Sequence, residues 1–176
     1  MKRRAAVAGI LGVASAGCTD RLHDLAASTP RDLAVRSRYV DGNPLVEGQS
    51  VRSLPEELVT HAASFRSKSE AKAAVLPGQP ETMAFVEETS FVDDGGGSVI
   101  VAAQRLTAPE VELRLGSISR TGERSLRIAV DIAGVRGEVE TDDPVVKTLL
   151  LRLTDERGPP ERIIVSIEGD RAGVTV

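Results

Sequence analysis

The stretch that decides the fold is VELRLGSISRTGERSLRIAVDI, residues 111–132. Apolar residues occupy every second position at both ends of this stretch, which is the pattern of strands with one buried face. The polar turn between them, Arg120–Glu123, contains a glycine and favours a hairpin. Ile118 is out of phase with Leu113 and Leu115, so Gly116 between them predicts a β-bulge. The pattern therefore predicts an antiparallel hairpin.

Further strand signals flank this hairpin on both sides. They are Leu33–Val40, His61–Phe65, the continuous apolar run Val99–Ala103, the alternating sets at 149–153 and 163–167, and Val174–Val176. Turn residues separate them, and their spacing is typical of an all-β meander. We therefore predict a mainly β (α+β) fold: a single compact antiparallel β domain with about six or seven short strands.

One or two short helices are expected before the main sheet. Ser67 and Glu70 have the spacing of a capping box, so a helix is predicted through Ala71–Leu76, ending at Pro77-Gly78. Pro80 is suited to the first turn of a second helix over Glu81–Glu87.

The alternation of the strands also predicts which side chains form the core, because alternate residues lie on one face of a sheet. The predicted buried residues are Val101, Leu113, Leu115, Leu126, Ile128, Val130, Leu149, Leu151, Leu153, Ile163 and Val165.

The first 18 residues have the organisation of an export signal. Lys2-Arg3-Arg4 is basic, the 13 residues Ala5–Gly17 carry no charge, and the only cysteine follows as Cys18. Since a membrane-spanning helix needs about 20 apolar residues, this segment is too short to span a bilayer comfortably. Arg3-Arg4 permits twin-arginine export as well as the general secretory route.

Ala16-Gly17-Cys18 resembles the end of a bacterial or archaeal lipoprotein signal. The resemblance implies cleavage before Cys18 and lipid attachment to its thiol. An uncleaved signal anchor and a buried, unmodified cysteine are the alternatives. A sole cysteine excludes an intramolecular disulfide.

The chain accordingly divides into three parts. Residues 1–17 are the predicted lipoprotein signal peptide, 18–32 a polar tether, and 33–176 a β-rich extracytoplasmic domain. We expect the protein on the extracytoplasmic face of the cell membrane, held there through the lipid on Cys18.

Charge and composition exclude several classes of partner. Removal of residues 1–17, which contain three basic side chains and no acid, leaves 19 basic and 26 acidic side chains, a net charge of −7. This balance argues against nucleic-acid binding, which needs excess positive charge. One tyrosine, three phenylalanines and no tryptophan make an aromatic platform for sugars or bases unlikely on composition.

No residue pattern predicts catalysis or a cofactor. His23 and His61 are the only histidines, too few for a tetrahedral metal site. The acidic turns Asp93–Ser98 and Glu140–Asp143 lack the ligand spacing of a calcium loop and are interpreted as solvated turns. Glu87 and Glu88 are adjacent, so their side chains should diverge, and His61 is expected as a satisfied polar residue on a strand edge. We predict no catalytic residue, no metal site and no cofactor.

The C-terminal part carries a family resemblance. In chain order it contains Phe85–Phe91, the strand Val99–Gln104, the hairpin and the segment Gly158–Arg162. This order resembles that of uncharacterised secreted or lipid-anchored proteins of salt-loving archaea. More distantly, this part is similar to the protease-complex PrcB C-terminal domain. The resemblance implies a β-rich extracytoplasmic accessory domain.

These observations favour a lipid-anchored domain that binds or scaffolds a surface protein without enzymatic activity. One alternative is an accessory or inhibitory subunit of a surface protease. A second alternative is a hydrolase without a recognisable motif that uses carboxylates alone.

Overall fold

Eight β-strands and two short α-helices make up the part of the chain that the computed structural model describes, residues 29–134 and 143–176. In chain order they are β1 Leu33–Asp41, β2 Thr60–Phe65, α1 Lys68–Ala74, α2 Pro80–Glu87, β3 Ser98–Thr107, β4 Glu112–Gly122, β5 Ser125–Ala133, β6 Val145–Asp155, β7 Arg162–Ile167 and β8 Asp170–Thr175. The predicted mainly β fold is confirmed. Within those residues no helix has the length and apolar character needed to cross a membrane.

The strands form two four-stranded sheets with the orders β1-β6-β3-β2 and β4-β5-β7-β8. Every pair is antiparallel except β5 and β7, which run parallel. The parallel pair arises because the chain leaves the second sheet after β5, crosses the first sheet as β6 and returns as β7. This arrangement differs from the simple meander expected from the spacing of the strands.

The burial of β6 explains why it lies inside the first sheet. Residues 146–151 of this strand are all buried, whereas β5 alternates between buried and more accessible residues. A strand covered on both faces needs apolar side chains on both. In β6, Leu149 and Leu151 face the second sheet, while Leu150 packs beneath the helices.

The core between the sheets confirms ten of the eleven predicted buried residues. Val101, Leu113, Leu126, Ile128, Val130, Leu149, Leu151, Leu153, Ile163 and Val165 are each at most 2% exposed. Leu115, which was predicted to be largely buried, is partly buried and packs against this core. The register of β4 against β5 shifts between Leu115 and Ser117, which confirms the bulge at Gly116 and places Leu115 at the edge of the core.

A second apolar cluster lies on the outer face of the first sheet, beneath the helices. Phe85 from α2 and Phe91 pack there against Ile100 and Leu150. Ser67 caps α1 by accepting a hydrogen bond from the backbone N–H of Glu70 at 3.2 Å, as its spacing predicts. The helices therefore cover part of the outer face of the first sheet, including Val40 at the end of β1.

Candidate functional site

A cleft of about 700 Å³ lies where β1, the edge strand of the first sheet, faces β4, the edge strand of the second. In the described part of the chain β1 pairs only with β6, and β4 pairs only with β5. An edge strand presents N–H and C=O groups that no neighbouring strand satisfies. The cleft is thus bounded by the edge strands of the two sheets.

The cleft has an apolar floor and a polar rim. Leu113 and Leu149, which belong to the core between the sheets, form the floor together with the partly buried Leu115. Ser37, Glu112, Arg114 and Asp131 stand on the rim. Because the bulge at Gly116 leaves Leu115 partly exposed, the same irregularity that breaks the alternation of β4 also supplies apolar surface to the cleft.

Tyr39 and Lys147 fix one end of the cleft. The Tyr39 hydroxyl donates to the carbonyl oxygen of Val111 at 3.4 Å, which links β1 to the start of β4. Lys147 is buried, and its Nζ donates to Asp41 Oδ1 at 2.6 Å and to the carbonyl oxygen of Pro109 at 2.7 Å. These bonds hold the β1 and β4 edges at a defined separation.

The electrostatics of this end follow from burial and from the Lys147 charge. Burial raises the pKa of the Tyr39 phenol, and the nearby Lys147 ammonium offsets part of that effect. Burial lowers the pKa of Lys147, but its bonds to Asp41 and Tyr39 outweigh burial and raise the pKa overall. Lys147 therefore stays protonated, and the Tyr39 phenol stays neutral at physiological pH.

Asp131 places a negative charge on the rim. Its carboxylate lies over Gly116, where a Cβ atom would come within 2.6 Å of Asp131 Oδ2. Arg114, the cross-strand partner of Asp131, bonds Glu112 Oε2 at 2.9 Å instead. Among residues 29–134 and 143–176, Asp131 forms no ion pair.

Cys18, the predicted site of lipid attachment, and the residues that the sequence analysis weighed and set aside are not part of the cleft. Cys18 and His23 are outside the described residues, as is Glu140–Asp142. Asp93 and Asp94 act at the start of α1: Asp93 takes a forked bond from Arg66 at 3.0–3.2 Å, and Asp94 Oδ2 accepts the N–H of Lys68 at 2.7 Å. The described residues contain no cluster of three or more potential metal ligands.

Glu87, Glu88 and His61 are the other polar residues that the sequence analysis considered, and the structure agrees with part of what was expected of them. Glu87 pairs with Lys72 and Glu88 with Arg36, so the adjacent carboxylates diverge as predicted. His61 lies on the edge strand β2. Its imidazole has a hydrogen bond with the backbone of Gln49. Its Nε2 is buried without a hydrogen-bond partner in the part of the chain that the structure describes, so the expected satisfaction of this side chain is incomplete.

Sequence reasoning missed the cleft because the cleft depends on which strand edges face each other. Tyr39, the sole tyrosine, is the one residue whose rarity could have drawn attention to β1. Comparison with protein-family models, with curated proteins and with solved structures gives no match for this chain.

Proposed function

We propose that this protein is a lipid-anchored extracytoplasmic domain that binds an extended segment of a partner protein in the cleft between β1 and β4. The observation that carries the proposal is the cleft itself, which is open between two strand edges. A peptide strand can add to such an edge through backbone hydrogen bonds, while pockets beside the edge select its side chains.

The lining of the cleft suggests what such a segment would present. An apolar side chain would pack on Leu113, Leu115 and Leu149. A neighbouring basic side chain would reach the exposed carboxylate of Asp131. Binding is favoured over carboxylate-based hydrolysis because Glu112 and Asp131 are both exposed, and exposure leaves a carboxylate without the desolvation that tunes catalytic acids.

The end of the predicted tether and the cleft are joined by one strand. Asp32, the last residue of the predicted tether, precedes β1 directly, and Tyr39 of the cleft lies seven residues further. At about 3.3 Å per strand residue, this places the cleft roughly 23 Å from the tether.

The anchor is tested by mass spectrometry of the membrane fraction. A mature chain that begins at an acylated Cys18 supports the proposal. Cys18→Ser should abolish acylation without changing the melting temperature of the β domain. A chain that retains Met1, or an unmodified Cys18 thiol in the membrane fraction, would refute the lipid anchor.

The cleft is tested separately by site-specific photocrosslinking in cells. A photoreactive amino acid at Ser37 should capture a partner, whereas the same amino acid at Ser119, an exposed residue of β4 outside the cleft, should not. Asp131→Arg should abolish the Ser37 crosslink. Equal capture from both positions would contradict the cleft as the binding site, and a secreted protease as the captured protein would support the accessory or inhibitory alternative.

A further inference from the structure

The outer face of the second sheet carries three arginines without a charged partner. Arg127 on β5, Arg162 on β7 and Arg171 on β8 alternate with residues of the core between the sheets, so their side chains point to the opposite face. All three residues are exposed, and none of their guanidinium groups forms an ion pair or a hydrogen bond with the part of the chain that the structure describes. We refer to the outer side of the second sheet around these residues as the arginine face.

The register of the strands sets the spacing of the three charges. Arg127 lies opposite Ile164, two residues after Arg162 on the neighbouring strand, and Arg171 lies opposite Ser166. With strands about 4.8 Å apart and a rise of about 3.3 Å per residue, the Cα atom of Arg127 is roughly 8 Å from that of Arg162 and roughly 12 Å from that of Arg171. The charges are therefore spread over the face, which suits an extended anionic surface better than one small anion.

Small side chains separate the arginines. Ala129 lies between Ser117 and Ser166 on the neighbouring strands, and Gly173 lies opposite Ile164. The long arginine side chains consequently stand above a shallow surface. Both helices pack on the first sheet, so among the described residues no helix covers the second sheet. A shallow face with raised charges can lie against a planar partner.

The carboxylates on the four strands of this sheet do not balance the three arginines. They are Glu112, Asp131 and Asp170. Glu112 bonds Arg114 at 2.9 Å, and Asp170 bonds Arg105 at 2.8 Å. Asp131 is left as one carboxylate without an ion pair against three such arginines. The predicted mature chain carries a net charge of −7, so the arginine face differs in sign from the protein as a whole.

The chain enters the domain at the same end of the second sheet as Arg127. Asp32 lies 3.1 Å from Arg120, whose cross-strand partner is Leu126, directly before Arg127. Asp32 follows Cys18 by 14 residues, which span up to about 50 Å when extended. A lipid on Cys18 would therefore leave the arginine face within reach of the same bilayer. This step rests on the proposed lipid anchor, whereas the charges of the face do not.

We propose that the arginine face docks onto the surface of a bilayer that contains anionic phospholipids. Each basic side chain near such a surface strengthens binding by about five-fold, and a guanidinium is well suited to bond phosphate oxygens. Each arginine can meet a different headgroup, so no single phosphate has to reach all three. Docking orients the domain with its second sheet toward the bilayer and its helices away from it.

Fluorescence of a dye at position 166 tests which side of the domain meets the bilayer. The full chain carries Cys18→Ser, so that no attached lipid contributes, and Ser166→Cys supplies the only thiol for a polarity-sensitive dye. Phosphatidylcholine vesicles that contain phosphatidylglycerol should raise and blue-shift the emission, whereas pure phosphatidylcholine vesicles should not. The matched control places the dye at Ser69 on α1, where the emission should stay constant. An equal change at both positions, or no change at position 166, would overturn the proposal.

Arg127→Gln, Arg162→Gln and Arg171→Gln together should abolish the change in emission at position 166. The three side chains are exposed, so the variant should keep its melting temperature. A charge-matched control changes three basic residues in the β1–β2 loop and on α1, where they lie beside the first sheet: Arg52→Gln, Lys68→Gln and Lys72→Gln.

The charge-matched control should keep the full change in emission. At about 0.1 M salt the screening length is about 10 Å, so charges on the far side of the domain contribute little. Equal loss in both triple variants would contradict a role for the arginine face. At about 1 M salt, where the screening length is about 3 Å, the change at position 166 should disappear.

Arg127→Lys, Arg162→Lys and Arg171→Lys together keep the three charges and cover the case in which the glutamine variant does not fold. The lysine variant should retain most of the change in emission at position 166, because the attraction to the bilayer comes from charge. Complete loss of the change in the folded lysine variant would overturn charge as the cause of docking.

Soluble polyglutamate provides the comparison with an acidic protein segment. A change at position 166 with polyglutamate, but none with phosphatidylglycerol vesicles, would overturn the bilayer as the partner of the arginine face. Acylation of Cys18 is measured separately by mass spectrometry of the unaltered protein. An unmodified Cys18 would refute the lipid anchor and leave the result at position 166 standing.

Discussion

Arg120 on β4 and Asp155 on β6 form a two-point ion pair that joins the two sheets, with N–O distances of 2.9 and 2.8 Å. The Asp155 side chain is 1% exposed and that of Arg120 is 15% exposed. Arg120 also lies 3.1 Å from Asp32 Oδ1, directly before β1. The Arg120 guanidinium on β4 therefore binds both Asp155 in the first sheet and Asp32, the residue directly before β1.

Arg120→Gln should destabilise the domain by about 3 kcal/mol, because it leaves the buried Asp155 carboxylate without its charged partner. Chemical denaturation of the two proteins measures this difference. Lys72→Gln is the control, since it breaks the ion pair with Glu87, in which both side chains are more than 40% exposed, and should change stability little. Equal effects of the two substitutions would contradict the buried character of the Arg120–Asp155 pair.

The stability of the domain should fall between pH 7.5 and pH 5.5 because of His61. Burial lowers the pKa of His61 in the folded state, although a backbone hydrogen bond with Gln49 opposes the effect. The unfolded chain, with a histidine pKa of about 6.5, then binds more protons than the folded chain as the pH falls through this range. Stability is consequently highest above about pH 6.5 and declines toward the folded pKa.

His61→Gln should flatten this pH dependence of the melting temperature, whereas His23→Gln should preserve it. His23 is the only other histidine and lies in the predicted tether. A pH dependence that survives His61→Gln unchanged would assign the titration to another group.

Gly96→Ala should destabilise the domain by about 1–3 kcal/mol, the usual cost of forcing an atom into packed structure. A Cβ atom at position 96 would lie 2.2 Å from the carbonyl oxygen of Ser90, which is backbone and cannot rotate away. Gly97→Ala is the neighbouring control, because its Cβ would make an ordinary 3.5 Å contact with Thr154. Urea denaturation should separate the two variants, and equal midpoints would disprove the close approach at Gly96.

Ile128→Ala should cost about 2–5 kcal/mol, because it removes a completely buried side chain from the core between the sheets. Leu115→Ala should cost clearly less, since Leu115 is partly exposed beside the bulge and lines the cleft. Free energies of unfolding from denaturant titrations give both values. A larger loss for Leu115→Ala would mean that β4 keeps its regular alternation through Gly116.

Local patterns predicted most of the strands and the core because alternation and turn residues act over a few positions. Leu113, Ile128 and Val165 could be assigned to the core in this way. Pairing between distant segments leaves no such pattern. The parallel contact of Leu126 with Ile163 requires β6 to lie in the other sheet, and no signal within β5 or β7 indicates that.

Buried polar contacts were similarly hidden from the sequence. Gln104 on β3 is fully buried. Its Oε1 accepts the N–H of Val51 at 2.9 Å, and its Nε2 donates to Asn43 Oδ1 at 3.0 Å and to Thr148 Oγ1 at 3.1 Å. The sequence shows that Gln104 is a polar residue at the end of an apolar run. It does not show that the Gln104 side chain forms hydrogen bonds with distant segments of the chain. The cleft shares this dependence on tertiary contacts.

The pairing of β1 with β6 sets the order in which the protein can fold. Lys147 bonds Asp41 across 106 residues of chain, so β1 emerges from the ribosome long before its partner strand has been synthesised. Folds dominated by such distant pairings form slowly, on millisecond to second timescales. If the chain crosses a membrane unfolded, the first sheet closes only after the crossing; if it uses twin-arginine export, β1 and β6 must already have paired in the cytoplasm.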